Sequence, residues 1–502
     1  MKTPYILRTI ATKIAEAGGN AILVGGAVRD MLMGGEVKDY DIEVFGLPSM
    51  ERLLEILSAF GTVNEVGRSF GILKLRTGEE EYDFSLPRKE RKSGSGHRGF
   101  SVEVDGSMGF AEAARRRDFT VNAIGYDLLT HEIYDPYGGC YDIQYGRLRH
   151  IDDVSFMEDP LRVYRAVQFA ARLQFEVAEE TAGLCRRMVE EGMLAELPKE
   201  RIYEEFKKLL LKASKPSVGF ELMRAWGITE RYFPELHALI DVPQDPKWHP
   251  EGDVWIHTMM SIDAMAKIVR SAPDRRDKCP WGKEVGSRSE KEKLKLLFAV
   301  LCHDFGKPLT TTIETDQSST KVLHTNTPHS SPLPLHYKVR AIGHEKAGID
   351  PTRHFLYRLT NEHDFIESVV PLVAHHLKPS QFHAQGAKAP AIRRLARKVN
   401  IEELVLVAKA DFLGRTTPEA QSGRYEAGEW LLSEAQRLHV KEKPLDPLIG
   451  GKALIALGLR PSARFKEILD AVYEKQMEGE IQSEDEAIAY VKAHFVENAD
   501  GA

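Results

Sequence analysis

The chain has 502 residues, 42% apolar and 28% charged, with a formal net charge of −7. These are the proportions of an ordinary globular protein, and the negative balance excludes one that coats nucleic acid by bulk charge while leaving room for a local basic surface. No apolar run approaches the ~20 residues of a membrane span, and four scattered cysteines indicate neither a disulfide framework nor a zinc ribbon. The N-terminus, MKTPYILRTIATKIAEAGGN, lacks the apolar centre of a signal peptide, so a cytoplasmic protein is expected. At roughly 100–200 residues per domain, the length makes about three or four domains.

Residues 5–17 (YILRTIATKIAEA) place apolar side chains at helical spacing and end at Gly18-Gly19, a C-cap signal. The apolar run 21–24 breaks at Gly25-Gly26, a helix-compatible stretch follows over 27–33, and an alternating segment begins at Lys38. As a strand, that segment puts Asp39, Asp41 and Glu43 on one face and Tyr40, Ile42 and Val44 on the other. Paired carboxylates suit Mg2+, which prefers one or two of them plus substrate phosphates. Gly25 and Gly26 let backbone N–H groups approach an anion at a helix start, and Arg29 adds a fixed positive charge one turn on. A D-x-D on a strand is more often a solvated face, but here the glycine pair and Arg29 lie close by and favour a metal-dependent nucleotidyl-transfer site. GGAVRD followed by KDYD resembles the first motif of the tRNA nucleotidyltransferases (CCA-adding enzymes) and the related bacterial poly(A) polymerases, of the polymerase-β-like superfamily.

Residues 50–60 read as a second amphipathic helix, and 63–66, 70–76 and 81–85 as short strands, so an α/β head with a small mixed sheet is predicted. Asp83 is a lesser candidate for a third metal carboxylate. The basic stretch RKERKSGSGHRG (88–99) reads as a flexible loop, and resembles the family's loop that helps the site switch from CTP to ATP. In RRRDFTVNAI (115–124), three successive arginines repel one another unless an anion is near; a helix is predicted after them, capped by Asp118 with Asn122 one turn on. The string resembles the family's RRDFTxNA motif, which implies that Arg117 contacts the incoming triphosphate and that Asp118 and Asn122 organise the ribose region. Residues 135–151 read as strand-turn-strand, similar to the motif DxxxGxxD, with Asp142 as a cap.

From Glu158 the pattern turns helical. EDPLRVYRAVQFAARLQF spaces Asp159, Arg162 and Arg165 three apart on one predicted helix face, and their side chains suit Watson–Crick edges. A surface i,i+3 salt bridge is the ordinary alternative. EDPLR, however, resembles the family's nucleotide-selecting EDxxR motif, which implies that Asp159 and Arg162 choose CTP or ATP and that Arg165 supports the nucleotide. LPKERIYEEFKKLLL (197–211) is similar to the helical motif that follows and reads as scaffold.

The proline-bearing stretch 240–255 marks a boundary, and a second constellation lies beyond it: His257, His303-Asp304, His344, His375-His376 and Asp411. Imidazole with carboxylate suits a transition metal better than Mg2+. The ordered series resembles the signature of HD-domain phosphohydrolases, with LCHDFGK as its central element. That resemblance implies a metal set of His257, His303, Asp304 and Asp411 for an ion such as Ni2+ or Mn2+. It further implies a second ion on His344 and one of His375 and His376, with Lys307 on a phosphate. The hydrophilic stretches 271–293 and 312–337 read as inserts, the second as a long loop. After Pro444, two amphipathic helices are predicted, with Ser483 as an N-cap, and resemble the family's C-terminal segment.

The expected architecture is α+β and multidomain: a small mixed-sheet nucleotidyltransferase head (1–150), an all-α neck for nucleotide selection and RNA binding (151–240), an HD domain (241–440) and a helical tRNA-binding tail (441–502). The resemblance implies template-independent addition of CCA to tRNA 3′ ends from CTP and ATP, with Mg2+ on Asp39 and Asp41. It implies a monomer or homodimer that holds the acceptor stem and TΨC arm, and HD hydrolysis of 2′,3′-cyclic phosphates and 2′-phosphates. A poly(A) polymerase, a CC-only or A-only enzyme, an HD phosphohydrolase with an inactive RNA-binding head and a regulatory nucleotide sensor are the alternatives.

Overall fold

The computed structural model describes residues 3–37, 39–66, 71–92, 100–105, 107–270, 287–315, 318–321 and 337–496. They belong to two compact units, Met1–Tyr232 and Phe233–Ala502. Among the described residues, no helix is long and apolar enough to cross a membrane.

The first unit is built on a sheet of β1 (Asn20–Val24), β2 (Asp41–Phe45), β3 (Thr62–Val66), β4 (Ile72–Thr77) and β5 (Glu80–Ser85), then a separate hairpin of β6 (Arg88–Lys92) and β7 (Phe100–Val104), and finally β8 (Gly125–Asp127) and β9 (Ile133–Tyr134). The seven-stranded order is β3-β4-β5-β2-β1-β8-β9, with β2 and β5 parallel and the other pairs antiparallel. β1 reads as an unbroken apolar run because both its faces are covered. Ala21 and Leu23 pack with Leu7, Ile10 and Ile14 of helix Tyr5–Glu16, while Ile22 and Val24 pack with Phe45, Met108 and Ala113. Central placement of β1 puts the following turn, at Gly25, against the start of β2 at Asp41.

Three local expectations in this unit need correction. The three arginines close helix Phe110–Arg115 instead of preceding one, and residues after Asp118 make only a 3-10 turn, Thr120–Asn122. Tertiary pairing wins there: Phe119 bridges to His150, and the Thr120 N–H donates to the Arg149 carbonyl. Second, residues 135–151 hold a helix, Gly139–Gln144, because the Asp135 carboxylate accepts the N–H groups of Gly139 and Cys140 at 2.7 and 2.9 Å. Asp142 is buried and accepts from the Thr120 hydroxyl at 2.7 Å, so it is more than a cap. Third, Asp159 lies in a break between helices Asp153–Glu158 and Leu161–Leu173. Pro160 drives its predecessor out of the α region, and Asp159 sits at φ −120°, ψ 98°. The basic stretch is strand up to Lys92; residues 93–99 lie outside the described residues.

The second unit centres on helices Val254–Arg270, Glu290–Cys302, His363–His375 and Ile401–Leu413. Helix Ile401–Leu413 buries residues all round, as an interior helix does. Helix Glu290–Cys302 begins inside the first expected insert because Ser289 and Glu292 form a reciprocal capping box. The second expected insert is not all loop. Thr311–Thr315, Ser318–Lys321 and Tyr337–Ala341 form a three-stranded antiparallel sheet, which suits the threonines of the first two, β-branched and strand-favouring. Residues 271–286 and 322–336 lie outside the described residues.

The tail has its own small core, in which Ile449, Leu454, Ile468, Val472, Ile481, Ala487 and Val491 are buried. It is tied to helix Ala389–Ala396 by polar contacts: Arg393 donates to the Met477 carbonyl, and Arg394 pairs with Glu474 and Glu478. Ser483 caps helix Glu484–Val491 as expected. A core this small has little reserve. Leu454→Ala should cost about 2–5 kcal/mol and open the tail locally, so limited proteolysis should cut within 449–496 before any other described segment.

Candidate active sites

In the first unit, the turn after β1 sets the geometry. Gly25 sits at φ +73°, a conformation that disfavours side chains, and a Cβ there would lie 3.0 Å from Arg117 Nη1 and 3.9 Å from Asp41 Oδ2. Helix Gly26–Leu32 follows directly. Asp41 faces Asp83 across the parallel β2/β5 register, and Asp39 is close enough to act on its charge. Burial raises the Asp41 carboxyl pKa, Arg117 opposes the rise, and Asp83 and Asp39 add to it. Crowded carboxylates of this kind fit a hard divalent cation, whose charge would offset their repulsion.

The three arginines find different partners. Arg115 pairs with Asp152 at 2.8 Å and Arg116 with the buried Glu43 at 2.9 Å. Glu43 also lies 3.5 Å from Arg117, whose buried Nε has no hydrogen-bond partner among the described residues. Arg117 is thus the arginine of the three that faces Gly25 and Asp41. Arg29, expected as a charge for the anion, is 2% exposed and already engaged. It holds Asp30 at 2.6 and 2.8 Å, donates to Asn122 Oδ1 at 2.6 Å, and lies over the Phe169 ring. Asn122 in turn donates to Asp118 Oδ1, and Asp118 Oδ2 accepts from Arg165 Nε at 2.7 Å. Arg165 covers Phe169 from 5.3 Å. Burial would raise the Asp118 pKa, but Arg165 and Asn122 outweigh it and hold the carboxylate charged.

Asp159 and Arg162 both lie near this segment. Asp159 Oδ1 accepts from the Leu161 N–H and Oδ2 from Arg201 Nη2 at 3.1 Å. Arg162 donates to the carbonyls of Ser155 and Arg116, each at 2.6 Å. Glu43 shares the D-x-D face and was legible from the alternation. Arg201, 42 residues from Asp159, carries no local signal of this pairing.

In the second unit, five elements bring the His/Asp series together. His257 lies in helix Val254–Arg270, His303 and His376 each directly follow a helix, His344 opens helix His344–Ala347, and Asp411 lies near the end of helix Ile401–Leu413. Two sets emerge, His257/His303/Asp411 and Asp304/His344/His376, each with ligand atoms within 4.8 Å of one another. Asp304 stands between them: Oδ2 lies 3.2 Å from His303 Nε2, and Oδ1 lies 3.3 Å from His344 Nε2. Both Asp304 oxygens are buried, and Oδ1 has no hydrogen-bond partner among the described residues. Such donors fit transition-metal ligation. His376, not His375, joins the cluster: its Nε2 is 3.3 Å from that of His344, while His375 Nδ1 is buried without a hydrogen-bond partner among the described residues. Burial, helped by His303 and His344, pushes His376 down to about 3, a neutral imidazole able to ligate.

Gly306 follows the His-Asp pair because the chain approaches closely there; a Cβ would lie 2.0 Å from the His344 carbonyl. Lys307, expected on a phosphate, is held by Asp304 at 2.7 Å and Gln244 at 2.6 Å. Two contributors were missed. Glu251 accepts from His257 Nδ1 at 2.8 Å, from His249 at 2.9 Å and from the Thr416 N–H, fixing the ring that presents Nε2 to the cluster. Arg415 grips both Asp411 oxygens at 2.9 and 3.2 Å; its i+4 spacing was a usable signal.

Residues 21–149 match the Poly A polymerase head domain, 174–240 the "Probable RNA and SrmB- binding site of polymerase A", and 254–415 the HD domain. In fold, the chain is similar to the Bacillus stearothermophilus CCA-adding enzyme in complex with CTP (TM-score 0.65, 19% identity, all of both chains covered). It is also similar to the Thermotoga maritima CCA-adding enzyme complexed with tRNA_CCA (TM-score 0.57, 20% identity, 98% of this chain and 96% of that one). In sequence, it is 34% identical to the multifunctional CCA protein of Pasteurella multocida, over 78% of this chain and 84% of that protein. With that of Xanthomonas campestris it shares 35% identity over 429 residues, 83% of this chain and 89% of the relative. At this identity and coverage, the chain belongs to the multifunctional CCA protein family: it is a CCA-adding nucleotidyltransferase that carries an HD domain.

Proposed function

We propose that the first unit adds CCA to tRNA 3′ ends from CTP and ATP at the Gly25 turn, and that the HD cluster is a separate phosphohydrolase centre. The observation that carries the first part is convergence: Arg117 and Asp41 approach the same glycine, with Asp83 across the register. Asp39 and Asp41, with Asp83, would hold Mg2+, which when bound supplies charge neutralisation for in-line nucleotidyl transfer. Arg117 binds the triphosphate where Gly25 leaves room for it. Glu43 holds Arg117 and Arg116 from behind. Arg29, Asn122, Asp118 and Arg165 form the frame of the ribose region rather than a set of free charges.

Asp159 reads the base. Cytosine and adenine each present an exocyclic amine that a carboxylate can accept from, and uracil and guanine present a carbonyl at that position. Arg201 steadies Asp159, and Arg162 anchors the reading helix to the arginine segment. We assign tRNA contact along the acceptor stem and TΨC arm to the neck and tail, where backbone and shape carry recognition.

In the HD cluster, His257, His303 and Asp411 would hold one transition-metal ion such as Ni2+ or Mn2+, and Asp304, His344 and His376 a second. Bound there, the metal supplies Lewis-acid charge to a phosphoryl group. The chain's own residues orient that site through Glu251, Arg415 and Lys307. The substrates proposed are 2′,3′-cyclic phosphates and 2′-phosphates of RNA ends.

With tRNA lacking its 3′ CCA, Asp41→Ala should lower nucleotide addition roughly 10³-fold or more, since several kcal/mol of charge stabilisation at about 1.4 kcal/mol per tenfold is at stake. Single-nucleotide gels read this, with phosphatase activity unchanged. Asp304→Ala should do the reverse; joint loss in either variant would deny that the two centres are separate. Glu251→Gln should weaken Ni2+ binding by about 10–100-fold in calorimetric titration of metal-stripped protein, and an unchanged affinity would remove Glu251 from the metal centre.

A further inference from the structure

The carboxylates at the Gly25 turn have a basic neighbour, Lys74 of β4. On β4 and β5, Leu73, Leu75, Tyr82 and Phe84 are buried in the core of the first unit, so Lys74, Glu81 and Asp83 project from the opposite face of the sheet. The register then sets a row across three adjacent strands, with Lys74 opposite Asp83 and Asp83 opposite Asp41. Directly opposed side chains have Cβ atoms roughly 4.5–5.5 Å apart. Lys74 uses that proximity: its Nζ stands 3.5 Å from Asp83 Oδ1 and 3.5 Å from Glu81 Oε2. Its charge also acts on Asp41, one strand further on.

The Lys74–Asp83 pair is a poor stabiliser. Its 3.5 Å separation exceeds that of a tight ammonium–carboxylate hydrogen bond, and the two side chains are 34% and 37% exposed. Its effect on cation binding is larger, because the ammonium offsets the charge of a carboxylate that faces Asp41. A divalent ion entering the row must take Asp83 from Lys74 and then lie beside a fixed positive charge. Glu81, half exposed and at the same distance from Nζ, gives the displaced ammonium a second partner. Lysine suits such a role, being a point charge on a flexible stem. A nucleotide triphosphate brings negative charge of its own and lowers the cost of placing a dication next to Lys74.

We propose that Lys74 is a positioning residue for the metal: a tethered counter-ion of Asp83 that holds the divalent-ion affinity of the Asp39, Asp41 and Asp83 row low until the nucleotide arrives. The inference rests on the reading of that row as the nucleotidyl-transfer metal centre. Ion and nucleotide are thereby coupled, each binding better with the other present. The ion enters with the triphosphate instead of being stored at the site.

The test uses full-length protein stripped of metal and reads Mn2+ binding by electron paramagnetic resonance, so it does not depend on turnover. Sites lost in Asp41→Ala define the row and set it apart from the HD cluster; the same subtraction is made at each CTP concentration. In the unaltered protein CTP should tighten Mn2+ at the row. Lys74→Met should tighten Mn2+ without CTP roughly 3- to 30-fold, a range that allows for solvent screening of a part-exposed ammonium, and should shrink the effect of CTP. Lys74→Arg, which keeps the charge, should keep the unaltered affinity. In an Asp83→Asn background Lys74→Met should change little, since the counter-ion has lost its partner. Unchanged or weaker Mn2+ binding in Lys74→Met overturns the proposal, as does equal tightening with and without the Asp83 carboxylate. Loss of no Mn2+ site in Asp41→Ala overturns the metal reading of the row, and this proposal with it.

Discussion

The buried carboxylate of Asp118 is the constraint around which the first unit is arranged. It joins three parts of the chain that are far apart in sequence: its own turn, the Asn122 amide held by Arg29, and Arg165 on helix Leu161–Leu173. The guanidiniums of Arg29 and Arg165 both lie over the Phe169 ring, 5.2 and 5.3 Å from its centroid. Taking these charges out of water is unfavourable in itself, and the network is stable because each member is hydrogen-bonded. Deleting one partner would leave an uncompensated buried charge, at a cost of about 3–5 kcal/mol. The cluster ties helix Gly26–Leu32 and the turn Thr120–Asn122 to helix Leu161–Leu173.

The second unit applies the same physics to a different end. Asp304 and Asp411 are buried carboxylates whose pKa burial would raise, yet both are held well below their ordinary value, Asp304 by His303 and Lys307 and Asp411 by Arg415 and His257. Their charge is kept available in a place where an isolated carboxylate would be neutral. Glu251 does likewise one shell further out, its charge kept by His249 and His257. A layered arrangement of this kind fixes both the tautomer and the direction of the ligating imidazole.

Much of this was legible in the sequence, and the exceptions have physical causes. β1, β2 and the Gly25 turn follow from local apolar runs, alternation and glycine, all short-range signals. The His/Asp series was visible as an ordered set, though whether His375 or His376 turns inward depends on the phase of the preceding helix end, which residue types do not disclose. Helix propensity failed after Asp118 because long-range pairing with residues 149–150 overrode it. The strands Thr311–Thr315 and Ser318–Lys321 are hydrophilic enough to resemble loop, and only their β-branched threonines mark them as strand. Arg29 and Lys307 are not free cations, and the carboxylates that engage them, Asp30 and Asp304, lie within three residues of each, where local spacing already carries the signal.

The bond from Arg162 to the Arg116 carbonyl has a mechanical consequence. Helix Leu161–Leu173 is fastened at its first turn to the backbone of the arginine segment, and Arg165, one turn on, is fastened to the carboxylate that follows that segment. Two attachment points one turn apart fix the start of the helix in orientation to the backbone at 116–118, and with it the Asp159 carboxylate bonded to the Leu161 N–H. The orientation of a hydrogen-bond acceptor is thereby tied to the position of a segment that carries positive charge.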